Sequence, residues 1–155
     1  MKHYQTIIML IVTSFFFGCT ISKLVSECNA YNIPSGANCV KIYSDIQPDS
    51  LYDILIETLY FEGCGIQHSS EKNYSITTDS KNLGESTYLR MRIIISEHEN
   101  HNIVTINGDC SDRSQGSQWL EAKWGSPMFI NRTGFAGIII FAHKILHSKI
   151  EYIVR

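Results

Sequence analysis

From Thr87 to Ser96 the chain alternates with a period of two: Leu89, Met91, Ile93 and Ile95 fall on one side, Arg90 and Arg92 on the other. One apolar and one polar face predict a half-buried strand of an antiparallel sheet. Shorter alternations predict strands over Val40–Ser44, Tyr74–Thr78 and Ile103–Asn107, with Glu97–Asn102 as a polar hairpin connection. Asn107-Gly108 reads as the end of the last of these, because Asp109–Asp112 is too polar for a returning strand and 112–117 reads as a loop. The period changes to 3.6 after Gln47-Pro48-Asp49-Ser50, where proline suits a first helical turn and Asp49 and Asp53 suit its positive end. Leu51, Leu55 and Leu59 then stack at i, i+4 and i+8, Tyr52, Ile56 and Tyr60 widen the stripe, and Gly63 and Gly65 stop it. A second helix is predicted over Met128–His147 from Ile130, Phe135, Ala136, Ile138, Ile139, Ala142, Ile145 and Leu146. Gly134 and Gly137 inside it each cost roughly 1 kcal/mol against alanine, which points to a close packing contact or to a later start near Thr133. Trp119, Leu120, Ala122 and Trp124 form a short apolar patch of undefined type, and Ile150–Val154 suits a further strand.

The predicted order is β-α-β-β-β-α: an α+β fold in which an antiparallel sheet carries two helices on one face. Over residues 40–147 this element order resembles the helix-grip or TATA-binding-protein-like topology of several envelope lipoproteins. At 155 residues the chain suits one domain, placed over 39–155.

The N-terminus has a different pattern. Lys2 precedes an uncharged stretch from Ile7 to Cys19. As a helix this stretch covers roughly 20 Å, against a bilayer core of about 30 Å, so it suits a secretory signal peptide over 1–18 better than a permanent span. It closes on Phe16-Phe17-Gly18-Cys19, which resembles the bacterial lipobox, where a small residue precedes the cysteine that becomes the lipidated N-terminus. Lipobox sequences usually carry an aliphatic residue where Phe16 stands and a small one where Phe17 stands; Gly18 and Cys19 fit. Cleavage after Ser22 by an ordinary signal peptidase is the rival. The resemblance to lipoprotein precursors implies diacylglyceryl and fatty-acyl groups, palmitate among them, on Cys19. Thr20 rather than Asp after that cysteine implies sorting to the outer membrane in a Gram-negative cell. Thr20–Asn38 has no sustained period and reads as a flexible tether between lipid and domain.

Cysteine count and charge refine this picture. With Cys19 acylated, Cys28, Cys39, Cys64 and Cys110 remain, an even number for an oxidising compartment. Three pairings are open; the one expected is Cys28–Cys39 around a Gly/Pro-containing loop and Cys64–Cys110 between a helix end and a strand end. A net charge of -2 excludes a strongly basic nucleic-acid binder.

Candidate chemistry is sparse. His143 and His147 lie at i, i+4 in the second helix, a spacing that holds zinc only with a third or fourth ligand; Lys144 stands where the zincin pattern needs glutamate. Both read more simply as solvated groups near a helix C-terminus. His98 and His101, with Glu97 and Glu99, crowd one hairpin that reads as a polar tip. Arg90 and Arg92 either bind an anion or a partner strand or keep the sheet soluble. Nothing names a catalytic residue, a cofactor or a metal. The expectation is a non-catalytic binding or assembly module of the cell envelope, held to the membrane by its N-terminal lipid, with an unidentified envelope protein or ligand as partner. The alternative is a soluble secreted domain with a histidine-based metal site, a hydrolase.

Overall fold

The structure is a computed structural model that describes residues 19–84, 86–112 and 118–155, with the backbone alone at 19–22. The expected signal peptide over 1–18, with Phe16, Phe17 and Gly18, lies outside the described residues. The elements run α1 (Cys19–Cys28), β1 (Cys39–Ser44), α2 (Pro48–Phe61), β2 (Ile66–Ser70), β3 (Ser75–Thr78), β4 (Lys81–Gly84), β5 (Thr87–Glu97), β6 (Asn102–Asp112), β7 (Leu120–Glu121), α3 (Phe129–Ala142) and β8 (Lys149–Ile153). Their class is α+β: an eight-stranded antiparallel sheet ordered β2-β3-β5-β6-β1-β8, with β4 beside β5 and β7 beside β6.

The inward alternation on β5 sets the core. Leu89, Met91, Ile93 and Ile95 are buried and join Val40 and Ile42 of β1 and Val104 and Ile106 of β6 in one apolar cluster. Three helices cover that face among the described residues. From α2 come Leu51, Leu55 and Leu59, each fully buried, a burial that contributes about 1.5–3 kcal/mol apiece. From α3 come Phe135, Ile138 and Ile139. The third helix corrects the expected tether. Residues 19–28 form α1, and its Val25 and Cys28 join the core. Ile21, Leu24, Val25 and Cys28 fall at i, i+3, i+4 and i+7, so an apolar helical stripe was present in this segment.

The strand expected to stop at Asn107-Gly108 runs on to Asp112, paired with β5 throughout. Gly108 makes this possible, since a Cβ there would stand 2.3 Å from the Arg90 carbonyl oxygen. The polar residues beyond it alternate properly, for Cys110 points into the core while Asp109 faces outward beneath Arg90 and Arg92. The indeterminate patch at Trp119–Trp124 contributes β7, where Glu121 and Leu120 pair with Asp109 and Cys110.

The second long helix ends at Ala142, not at His147. Beyond it the N–H groups of Lys144 and Ile145 donate to Phe141 and Ala142, tightening the turn and tucking Ile145 into the core. The chain then enters β8, which pairs with β1 from Lys149↔Tyr43 to Ile153↔Cys39.

Candidate functional site

The turn after α3 brings together a group of aromatic and titratable side chains. His143 caps the helix. Its ring lies flat against Tyr31, centroids 4.0 Å apart at 14°, and its Nε2 hydrogen-bonds the Tyr152 hydroxyl at 2.9 Å. His147, outside the helix, meets His143 edge-on at 5.8 Å, and its Nδ1 donates to the Ile145 carbonyl at 2.5 Å. Tyr31 comes from the turn that follows α1, fixed by its N–H bond to Cys28 O, and Tyr152 from β8. Residues far apart in sequence thus wall a cleft of about 800 Å³ that runs beside β8, with Ala30, Asn32 and Pro34 as its opposite side.

Burial, reinforced by His147, lowers the pKa of His143 and favours its neutral form. Burial, together with Tyr31 and Cys28, pushes Tyr152 up to about 12, so its hydroxyl keeps its proton. This is a neutral hydrogen-bonding and stacking pair, suited to clasping elements or an aromatic guest. The expectation of two solvated histidines on one helix face therefore changes: His143 is half-buried in a stack, and the C-terminal helix dipole does not decide its charge.

His98 and His101 do come together, their rings stacked at 5.6 Å across the turn closed by His98 N–H and His101 O, and His101 leans on Tyr43. Neither approaches His143 or His147 in any ring contact found among the described residues. No group of three or more His, Cys, Asp or Glu side chains is placed to hold a metal ion among the described residues. On the open sheet face Arg92 and Arg90 share Asp109, at 3.3 and 3.9 Å, and the Arg90 guanidinium lies 3.8 Å over the Trp119 ring.

The four cysteines correct the expected pairings: Cys28, Cys39, Cys64 and Cys110 are free, buried thiols. The sheet separates the first pair. Cys28 packs among the helices with its Sγ 3.7 Å from Ala136 O, whereas Cys39 shares the parity of Lys41 and Tyr43 on the other face. Cys110 packs on Gly134 and Ala122, and its Sγ is directed to Leu120 O at 3.4 Å. Cys64 instead lines a cavity of about 230 Å³ with Leu24, Leu83, Met91 and Phe141. Burial pushes Cys28 and Cys110 up to about 12 and raises Cys39 and Cys64, which makes all four poor nucleophiles. Cys19 lies in α1, and its side chain is outside what is described.

At the mouth of that cavity Glu62 joins two lysines: Lys144 at 2.6 Å from its carboxylate, and Lys81 donating to its backbone oxygen at 2.5 Å. Neither the cavity nor the Tyr31–His143–Tyr152 cluster is legible in the sequence. The one available signal was the Ile150/Tyr152 alternation, which puts Tyr152 on the helix side of β8. No family model matches the chain, and no curated protein sequence matches it.

Proposed function

We propose that the protein is a lipid-anchored lipoprotein of the cell envelope, a non-catalytic binding or assembly module held at the membrane by acyl chains on Cys19. What supports this reading is the sequence itself, Lys2 before the uncharged stretch from Ile7 to Cys19 and the lipobox-like Phe16-Phe17-Gly18-Cys19 that closes it, together with a helix over 19–28 that leads directly into the core. The acylated residue would then stand at the head of a helix that joins the core at Val25 and Cys28. With a rise of about 1.5 Å per residue, Cys19 lies roughly 13 Å along that helix from Cys28, so the domain rides close to the bilayer. More than one acyl chain on Cys19 gives an anchor of adequate strength. The open sheet face and the cleft beside β8 remain as surfaces for an envelope partner.

Growth with labelled palmitate tests the anchor. The wild-type chain is expected to carry label and to fractionate with membranes, the outer one in a Gram-negative host. Cys19→Ser is expected to lose the label. An unlabelled wild type, or label that survives Cys19→Ser, overturns the reading. One equivalent of zinc in the purified protein, lost on replacing His143 and His147 by alanine, would favour the secreted metal-dependent hydrolase instead.

A further inference from the structure

The two ends of the sheet are finished differently. At one end β2 is short and its pairing with β3 shifts register between Ile66 and His68, an irregularity that blunts an edge against further pairing. At the other end β8 pairs with β1 in unbroken register, contains no proline, and has no second neighbour among the described residues. Its outer backbone N–H and C=O groups form a ready template for another strand.

The charges of β8 do not protect that edge. Lys149 and Glu151 share the open face, 2.5 Å apart, and Glu151 also accepts from the Tyr43 hydroxyl at 2.7 Å. Opposite charges two residues apart are self-complementary. In an antiparallel pair centred on Ile150, Lys149 of each copy stands across from Glu151 of the other, and the pairing occurs twice by symmetry. On the helix side the same register sets the small Ser148 of one copy opposite Tyr152 of the other. The cleft of about 800 Å³ along β8 leaves room there for the second strand.

We propose that the protein self-associates through β8, two copies joining antiparallel about a two-fold axis at Ile150 to make one continuous sheet. An edge of this length forms a small interface, in the class of weak and reversible contacts. Confinement of both copies to one membrane would raise their effective concentration. The pairing itself does not require the acyl anchor.

Sedimentation velocity of the full chain in mild detergent, over a range of protein concentrations, tests this. A reversible monomer–dimer equilibrium is expected. Lys149→Glu or Glu151→Lys alone is expected to raise the dissociation constant about tenfold, from two lost cross-strand pairs and two new repulsions. The double reversal is expected to restore wild-type association, which a merely destabilised fold would not do. Should the single variants misfold, Ile150→Cys in a Cys19→Ser background gives a second readout. Residues facing each other across the axis are expected to form a disulfide-linked dimer under mild oxidation. A chain that is monomeric up to about 1 mM, a dimer indifferent to both reversals, or no cross-link at position 150 overturns the proposal. So does protection of the β8 amides from exchange only when another envelope protein is added.

Discussion

Replacing Gly134 by alanine sets two effects of opposite sign against each other. In the middle of a helix the change favours folding by about 1 kcal/mol through propensity alone. In this helix the added Cβ would stand 2.7 Å from Cys110 Cβ, 3.1 Å from its Sγ and 3.3 Å from Ala122 Cβ. Carbon contacts are comfortable at about 3.5–4.0 Å, and the nearest obstacle is a Cβ fixed to the backbone of β6, which cannot rotate away. Either α3 or β6 must shift, and overpacking of this kind costs about 1–3 kcal/mol. The net expectation for Gly134→Ala is a loss of up to about 2 kcal/mol, despite the better helix former. Gly137→Ala supplies the control, because its Cβ would meet only the ends of Leu83 and Leu89, at 3.0 Å, and these side chains can move aside. It should stay within about 1 kcal/mol of wild type. Urea unfolding followed by circular dichroism measures both. A double-mutant cycle with Cys110→Gly should show coupling of at least about 0.5 kcal/mol. A Gly134→Ala protein more stable than wild type, or additive with Cys110→Gly, would refute the proposed contact.

Acid should weaken the fold through His143. Its folded pKa lies below the ordinary value of 6.5, so between the two values the unfolded chain binds more protons. Its contribution is full above about 6.5, declines as the pH falls below that, and levels off under the folded pKa. Urea midpoints from pH 8 to 5 should therefore drop, and His143→Gln should flatten that part of the profile; an unchanged slope would remove His143 as its source. The buried thiols should resist a disulfide-exchange reagent at pH 8 while the protein is folded and react fully in denaturant. Rapid modification of Cys28 or Cys110 in the native state would contradict their burial.

The parts of the fold that were legible in the sequence are those in which one periodicity ran unopposed. β5 alternates cleanly, and α2 stacks three leucines between a proline and two glycines. β6 was legible only as far as Gly108, because the glycine and the acidic residues after it look like a turn. What keeps them in a strand is long-range: the Arg90 carbonyl that fills the space of a missing side chain, and the two arginines over Asp109. β2 and β4 are short and lie near the margins of the sheet, so they have little apolar signal to read. α1 is hard to read in the sequence because its apolar stripe is short and set among polar residues; its stability comes from the core it docks on. The candidate cleft was hidden for a related reason. His143 was identifiable, but its partners are Tyr31 and Tyr152, and no local spacing connects a turn after α1 with the outer strand.

The position of β8 has a consequence for timing. β1 is the first strand among the described residues, yet one of its two neighbours is β6 and the other is β8, where Cys39 pairs with Ile153, a separation of 114 residues. Closing so long a loop is entropically unfavourable and slow compared with forming the β5–β6 hairpin. During synthesis β1 therefore has no partner on that side until β8, which follows every other described element, has emerged. For that interval the exposed edge belongs to β1, one layer further in than in the finished protein. A chain stalled before Lys149 would present Val40 and Ile42 to whatever strand lay nearest, and the last five-residue strand decides whether the sheet closes on itself or on a neighbour.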